Sequence, residues 1–170
     1  MENEIVNRVS NSQLITLDLE EFYTPGERVL FDMKELLFQE LILRETDFRN
    51  FVKTHDWSKY QNKLVAITCS ADAIVPTWAY MILASSLQPF AAAVVYGSLQ
   101  DLETHLFEQK LNKIDWQRFE KAKVVVKGCS KVNVPVSVYV LAINKLRPVA
   151  QSIMYGEPCS TVPVFKKKTT

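Results

Sequence analysis

Residues 63–70 read KLVAITCS, and residues 123–130 read KVVVKGCS. Four of eight positions match at an offset of 60: Lys63, Val65, Cys69 and Ser70 recur. Residues 75–97, VPTWAYMILASSLQPFAAAVVYG, match residues 134–156, VPVSVYVLAINKLRPVAQSIMYG, at eight of 23 positions with an offset of 59. The shared residues are Val75, Pro76, Tyr80, Leu87, Pro89, Ala91, Tyr96 and Gly97. Upstream, Asp56-Trp57 matches Asp115-Trp116. On this alignment one residue is gained and one lost between the blocks. Agreement among apolar residues alone does not put Pro, Tyr, Trp and Gly in register, so the chain reads as an internal duplication.

The duplication decides between helix and strand. Val132 to Tyr139 alternates like a strand when read alone. Its counterpart, Pro76 to Leu87, has the length and composition of a helix. Pro76 and Pro135 fit the first helical turn, where a missing N–H costs nothing. Pro89 and Pro148 fit its end, because proline disfavours helix in the residue before it. Each unit therefore reads strand, Cys-Ser loop, helix, strand, Tyr-Gly. The strands fall at Leu64–Cys69 and Ala92–Tyr96, then at Val124–Gly128 and Ala150–Tyr155. Such a unit is a βαβ crossover with parallel strands and a right-handed connection. Its helices are apolar nearly all round, which predicts burial on more than one side.

Between the units, Leu99–Lys113 reads as an amphipathic helix with Leu102, Leu106 and Leu111 inward, and Asp115-Trp116 as a cap or turn. Leu43 and Phe48 correspond to Leu102 and Phe107, which starts the repeat near Leu41. Further upstream, Leu14–Leu19 and Arg28–Phe31 read as strands around a turn at Thr24-Pro25-Gly26-Glu27. Met33–Phe38 and Glu45–His55 read as helical. The expected class is α/β, with internally duplicated βαβ units, mostly parallel strands and a divergent N-terminal α+β extension. The expected organisation is a single domain over 1–170: an extension 1–40, repeat units 41–98 and 99–157, and a Cys-containing tail 158–170.

The chain has 170 residues, 48% of them hydrophobic, enough for one domain or two small halves sharing a core. A net charge of +1 argues against a nucleic-acid partner, which calls for a basic surface. Residues 1–60 carry 12 acids and 7 bases, and the remainder 7 acids and 13 bases. That asymmetry fits docking between the halves or on a partner; two solvated faces are the plainer reading. The N-terminus lacks a basic segment followed by an apolar run, so no signal peptide is expected. The most apolar stretch, Ala73 to Val95, is broken by Pro76, Ser85, Ser86, Gln88 and Pro89, so no membrane span is expected. With three cysteines, an odd number, the expectation is a cytoplasmic protein with free thiols.

The three cysteines all precede serine: Cys69-Ser70, Cys129-Ser130 and Cys159-Ser160. Cys69 and Cys129 sit at the carboxyl ends of repeated strands, and Cys159 lies three residues past Gly156. Carboxyl ends of parallel strands share one edge, where ligands bind. If both units join one sheet, all three thiols reach that edge. Thiolates there hold zinc or an iron–sulfur cluster, with Asp72 as a further oxygen donor. Ser70, Ser130 and Ser160 could donate to cluster sulfurs or cap turns. The plain alternative is three ordinary cysteines packed as small hydrophobes; thiol redox or sulfur-transfer chemistry is another. There is no C-x-x-C, no glycine-rich phosphate loop and no G-x-S-x-G elbow, so no catalytic residue is named. His55 and His105 read as solvated helix residues, and Lys166-Lys167-Lys168 as a solvated tail.

The segments MENEIVN, HDWSKYQ, TCSADAIVPTWAYM, VVVKGCS and RPVAQSIMYGEPCSTVPVFKKK together resemble the uncharacterised domain-of-unknown-function family 2480 (DUF2480) of Bacteroidota, over essentially the whole chain. The family brings no activity and no site residues. The resemblance implies an association with sulfur-mobilisation-type iron–sulfur cluster assembly. The expectation is therefore a metal- or iron–sulfur-cluster-binding accessory protein with iron–sulfur assembly proteins as partners, not firmly an enzyme. A non-catalytic interaction module or homodimer is the alternative, followed by a thiol redox or sulfur-transfer protein.

Overall fold

A computed structural model describes residues 14–128, 131–157 and 160–168. The elements run β1 (Leu14–Asp18), β2 (Arg28–Asp32), α1 (Glu45–Thr54), β3 (Leu64–Thr68), α2 (Thr77–Leu87), β4 (Ala93–Tyr96), α3 (Leu99–Leu111), β5 (Lys123–Lys127), α4 (Val136–Leu146), β6 (Ser152–Glu157) and β7 (Ser160–Lys166). Short 3-10 turns at Leu19–Phe22, Met33–Leu36, Trp57–Tyr60 and Trp116–Phe119 punctuate them. The fold is α/β with mostly parallel strands, as the repeat implies. The described residues form two sheets, ordered β2-β3-β4 and β1-β5-β6-β7. The chain divides into two compact units, one of Thr24–Leu106 and the other of the residues up to Tyr23 and from Phe107 onward.

In the Thr24–Leu106 unit, Leu64, Val65, Ala66 and Ile67 form an unbroken apolar run and all are buried. Such a run marks a central parallel strand covered on both faces. Strand alternation sends Val65 and Ile67 to one face, where they meet Phe48 of α1 and Ala79, Leu83 and Leu87 of α2. It sends Leu64 and Ala66 to the other, against Leu102 and Leu106 of α3. β2 and β4 flank β3, both parallel to it.

In the other unit, β5 is central, with parallel β1 and β6 on either side and antiparallel β7 beyond β6. Val124 and Val126 face Phe107 and Leu111 of α3 and Val138, Ala142 and Leu146 of α4. The inward residues of α2 and α4 recur every four positions and are fully buried.

Several expectations change. The repeat offset is 59 throughout, with no residue gained or lost. Leu64 pairs with Arg28 as Lys123 pairs with Leu14. Asn62 and Lys121, 59 apart, both take positive φ just before the central strand. Their N–H groups donate to Phe90 O and Val149 O. The 60-residue match of KLVAITCS with KVVVKGCS was therefore one residue out of structural register, favoured by identities in β-branched sequence. The residues expected as a divergent extension belong to the repeat as well: β1 and β2 are two copies of one element, each supplying a strand to a different sheet. Asp18 and Asp32 end them in the same way, accepting the N–H of Glu20 at 3.0 Å and of Lys34 at 2.9 Å to cap a 3-10 turn. Met33–Leu36 is such a turn rather than a regular helix. Pro76 and Pro135 stand at the N-cap, one residue before the helix begins. Residues 160–166, expected as tail, form β7 because Val162, Pro163 and Phe165 find partners on β6. α2 and α4 bury one face only, and apolar residues stay exposed on the other.

Candidate functional site

Three parallel strands bring their carboxyl ends to one edge in each unit, so Asp32, the segment after Thr68, and Tyr96-Gly97 come together. Asp32 organises this edge. One carboxylate oxygen accepts the N–H of Lys34 at 2.9 Å and the N–H of Ser70 at 3.0 Å. The other accepts the Ser70 hydroxyl at 2.5 Å. Burial pushes the Asp32 carboxyl up, but the bonds from the Ser70 hydroxyl and the two N–H groups, with the Lys34 charge, outweigh it and hold its pKa below the usual value. The Cys69 thiol lies half-buried against the apolar core of this unit, 3.8 Å from the Ala71 carbonyl.

Beside this loop, Tyr80 of α2 stands edge-on to Tyr96 of β4, centroids 5.2 Å apart at 84°. Burial raises the Tyr80 pKa, and the electrostatic influence of the neighbouring Cys69, Tyr96 and Asp32 adds to that. An open groove of about 560 Å³ follows, lined by Ile74, Val75, Tyr80, Met81 and Tyr96 among others.

The equivalent edge of the second unit keeps the frame and changes the chemistry. Tyr139 and Tyr155 repeat the edge-on pair at 5.7 Å and 79°. Lys127 replaces Thr68 and lies 3.2 Å from Asp18 and 3.8 Å from Glu157. Its hydrogen bond to Asp18, then the charges of Asp18, Glu157 and Glu20, raise its pKa. Glu20 accepts the Lys131 N–H at 2.7 Å. An apolar groove of about 330 Å³ lies between α4, β6 and β7, lined by Val126, Val136, Tyr139, Ile143, Tyr155 and Val164.

Cys129, Ser130 and Cys159 lie outside the described residues. Of the other site candidates, Ser70 binds Asp32, Asp72 is exposed in the loop after it, and Ser160 opens β7 opposite Glu157. Convergence of the thiols on one edge needs one shared sheet, and the described strands of the repeats occupy two. Strand register also sets Cys69 against Gly128, not Cys129. Among the described residues no three His, Cys, Asp or Glu side chains stand close enough together to hold a metal ion. His55, expected to be solvated, is half-buried among Phe31, Phe51, Trp57 and Tyr60. Burial and the Lys59 charge lower its pKa.

Sequence reasoning missed Asp32, Asp18 and Lys127. A signal for the two aspartates exists: Asp18-Leu19-Glu20-Glu21-Phe22 and Asp32-Met33-Lys34-Glu35-Leu36 share an acid, a large apolar residue, Glu and a second apolar residue in the same spacing. Among the described residues no helix is long and apolar enough to cross a membrane.

In comparisons with known proteins, one family, described as "Protein of unknown function (DUF2480)", matches residues 3–167. Neither a curated protein nor a solved structure matches the chain significantly.

Proposed function

We propose that this chain, which belongs to the DUF2480 family of proteins of unknown function, acts as a cytoplasmic, non-catalytic interaction module. The observation that carries the reading is an exposed apolar patch in each repeat, two of whose residues stand at equivalent positions. In the first, Ile74, Met81 and Tyr96 are 94%, 67% and 72% exposed. In the second, Val136, Val140 and Tyr155 are 74%, 55% and 41% exposed. Met81 corresponds to Val140 and Tyr96 to Tyr155. Scattered exposed apolar residues are ordinary, but a cluster repeated on the same helix and strand fits a protein-binding surface. The buried faces of α2 and α4 are made by other residues, and Met81 and Val140 lie on the opposite, exposed face.

The partner class to test first is the one the resemblance implies, proteins of iron–sulfur cluster assembly. The experiment mixes the purified full chain with purified assembly proteins and follows the mass of the complex by light scattering. The reading predicts a complex lost in the Met81→Lys/Val140→Lys double variant, which keeps its fold because both side chains point to solvent. Absence of any complex and of any self-association overturns it, as does binding that the double variant leaves unchanged.

A further inference from the structure

We infer that β4 is the contact strand of a homodimer, pairing antiparallel with β4 of a second copy across a twofold axis. The inference deepens the interaction reading by naming one occupant for one edge.

Exposed sheet edges are templates for unwanted pairing, and proteins blunt them with charge, proline or bulges. Among the described strands, the edges here are unequally treated. β7, which closes its sheet, carries Pro163, ends on Lys166 and is followed by Lys167 and Lys168. A register shift at Ile153/Met154 interrupts its ladder. β2 begins with Arg28, locked to Glu103 at 2.5 Å, and ends with Asp32. β1 ends with Asp18, bound to Lys127. β4 has none of these devices: from Phe90 to Gln100 there is no charged residue and no proline. Among the described residues no strand pairs with its outer edge.

The backbone of that edge is ready to pair. The Gly97 N–H donates inward to Ile67 O, and β3 and β4 pair in parallel with Ile67 opposite Tyr96. Alternation back along the strand therefore keeps Ala93 and Val95 on the β3 ladder and turns the N–H groups of Val94 and Tyr96 outward. The duplication shows what the equivalent edge accepts: β6 occupies the same place in its sheet, and β7 lies antiparallel on it. β4 has no such covering strand in its own unit.

A second β4 fits this edge in three respects. Across a twofold axis two copies of one strand meet antiparallel, which is the sense β7 adopts on β6. The strand is uncharged, so self-pairing opposes no like charges. The flanking exposed residues, Ile74, Met81 and Tyr96, are apolar, so they can be buried against their own copies. The contact is isologous and closes at two copies.

Sedimentation equilibrium of the full chain over a concentration series tests the inference. The expected species has twice the 19.5 kDa of one chain. Val94→Pro deletes an outward N–H without touching the β3 ladder, and Tyr96→Lys places like charges on the two facing edges. Each should weaken the dimer at least about tenfold while circular dichroism stays unchanged; should Val94→Pro fail to fold, Tyr96→Lys decides. Val162→Lys, on β7, should leave the dimer intact. A monomeric wild type overturns the inference. So does a dimer that survives Tyr96→Lys, or one that Val162→Lys alone dissociates. A monomer that still binds an assembly protein through Met81 and Val140 removes only this inference and leaves the interaction reading in place.

Discussion

Gly128 holds in the second repeat the register position that Cys69 holds in the first, and the two backbones there differ. Gly128 adopts φ +149°, and a Cβ on it would meet Leu19 Cβ at 3.0 Å and the Tyr139 hydroxyl at 3.3 Å. Cys69 carries a side chain at its place without a positive φ. Gly128→Ala should therefore cost about 1–3 kcal/mol, from strain and crowding together. Chemical denaturation measures it. A variant as stable as wild type would show that this backbone is not fixed.

A second pair of equivalent residues tests whether the repeats are built alike. The Trp57 indole N–H donates to the Val52 carbonyl at 2.9 Å, and Trp116 donates to Leu111 at 3.1 Å. Each bond ties the end of a helix to the 3-10 turn before a central strand. Both rings are half-buried. Trp57→Phe and Trp116→Phe should each lose about 1–2 kcal/mol, the hydrogen bond plus some packing. Losses that differ widely between the two would mean that one joint has ceased to bear on folding.

Much of this architecture was legible because Pro, Tyr, Gly and Trp constrain backbone or fill large cavities, and so recur where a duplicated fold needs them. Pro76 and Pro135 located two helix starts, and Tyr96-Gly97 located the end of β4, whereas β6 runs on through Tyr155-Gly156 to Glu157. The central strands were legible as apolar runs but not in register, since valines and isoleucines match equally well when slipped by one residue. That slip aligned Cys69 with Cys129 and gave the thiols an equivalence that the hydrogen-bond ladders do not. The assignment of β1 and β2 to separate sheets was not legible, because β1 pairs with a strand more than 100 residues away in sequence, which leaves no local pattern. Asp32 escaped notice for a related reason. Its role comes from Ser70, 38 residues on, which only the parallel pairing of β2 with β3 brings near.

Cys69 supplies a separate check on the interaction reading. Among the described residues its sulfur makes one weak polar contact, to the Ala71 carbonyl, and otherwise packs as a small hydrophobe. Cys69→Ala should lower stability by no more than about 1 kcal/mol and leave the sedimenting mass unchanged. Loss of the dimer in this variant, with the fold intact, would give the thiol a part in assembly that the β4 edge does not explain.

The Asp32–Ser70 bond makes the carboxyl edge of the first repeat sensitive to acid. The folded state holds Asp32 ionised below its usual pKa of 3.8, because three donors on Ser70 and Lys34 bind the carboxylate and outweigh the effect of burial. A group whose folded pKa is depressed adds stability above its unfolded pKa and loses it as pH falls through the folded one. The contribution of Asp32 should therefore be complete at neutral pH and fade from about pH 4 downward. Urea midpoints measured from pH 7 to pH 3 should fall less steeply for Asp32→Asn than for wild type, with the curves converging in acid. Ser70→Ala removes the strongest of the three donors, so its curve should lie between them. Parallel curves for all three proteins would mean that the bond does not persist in solution, and that the loop after β3 is held by other contacts.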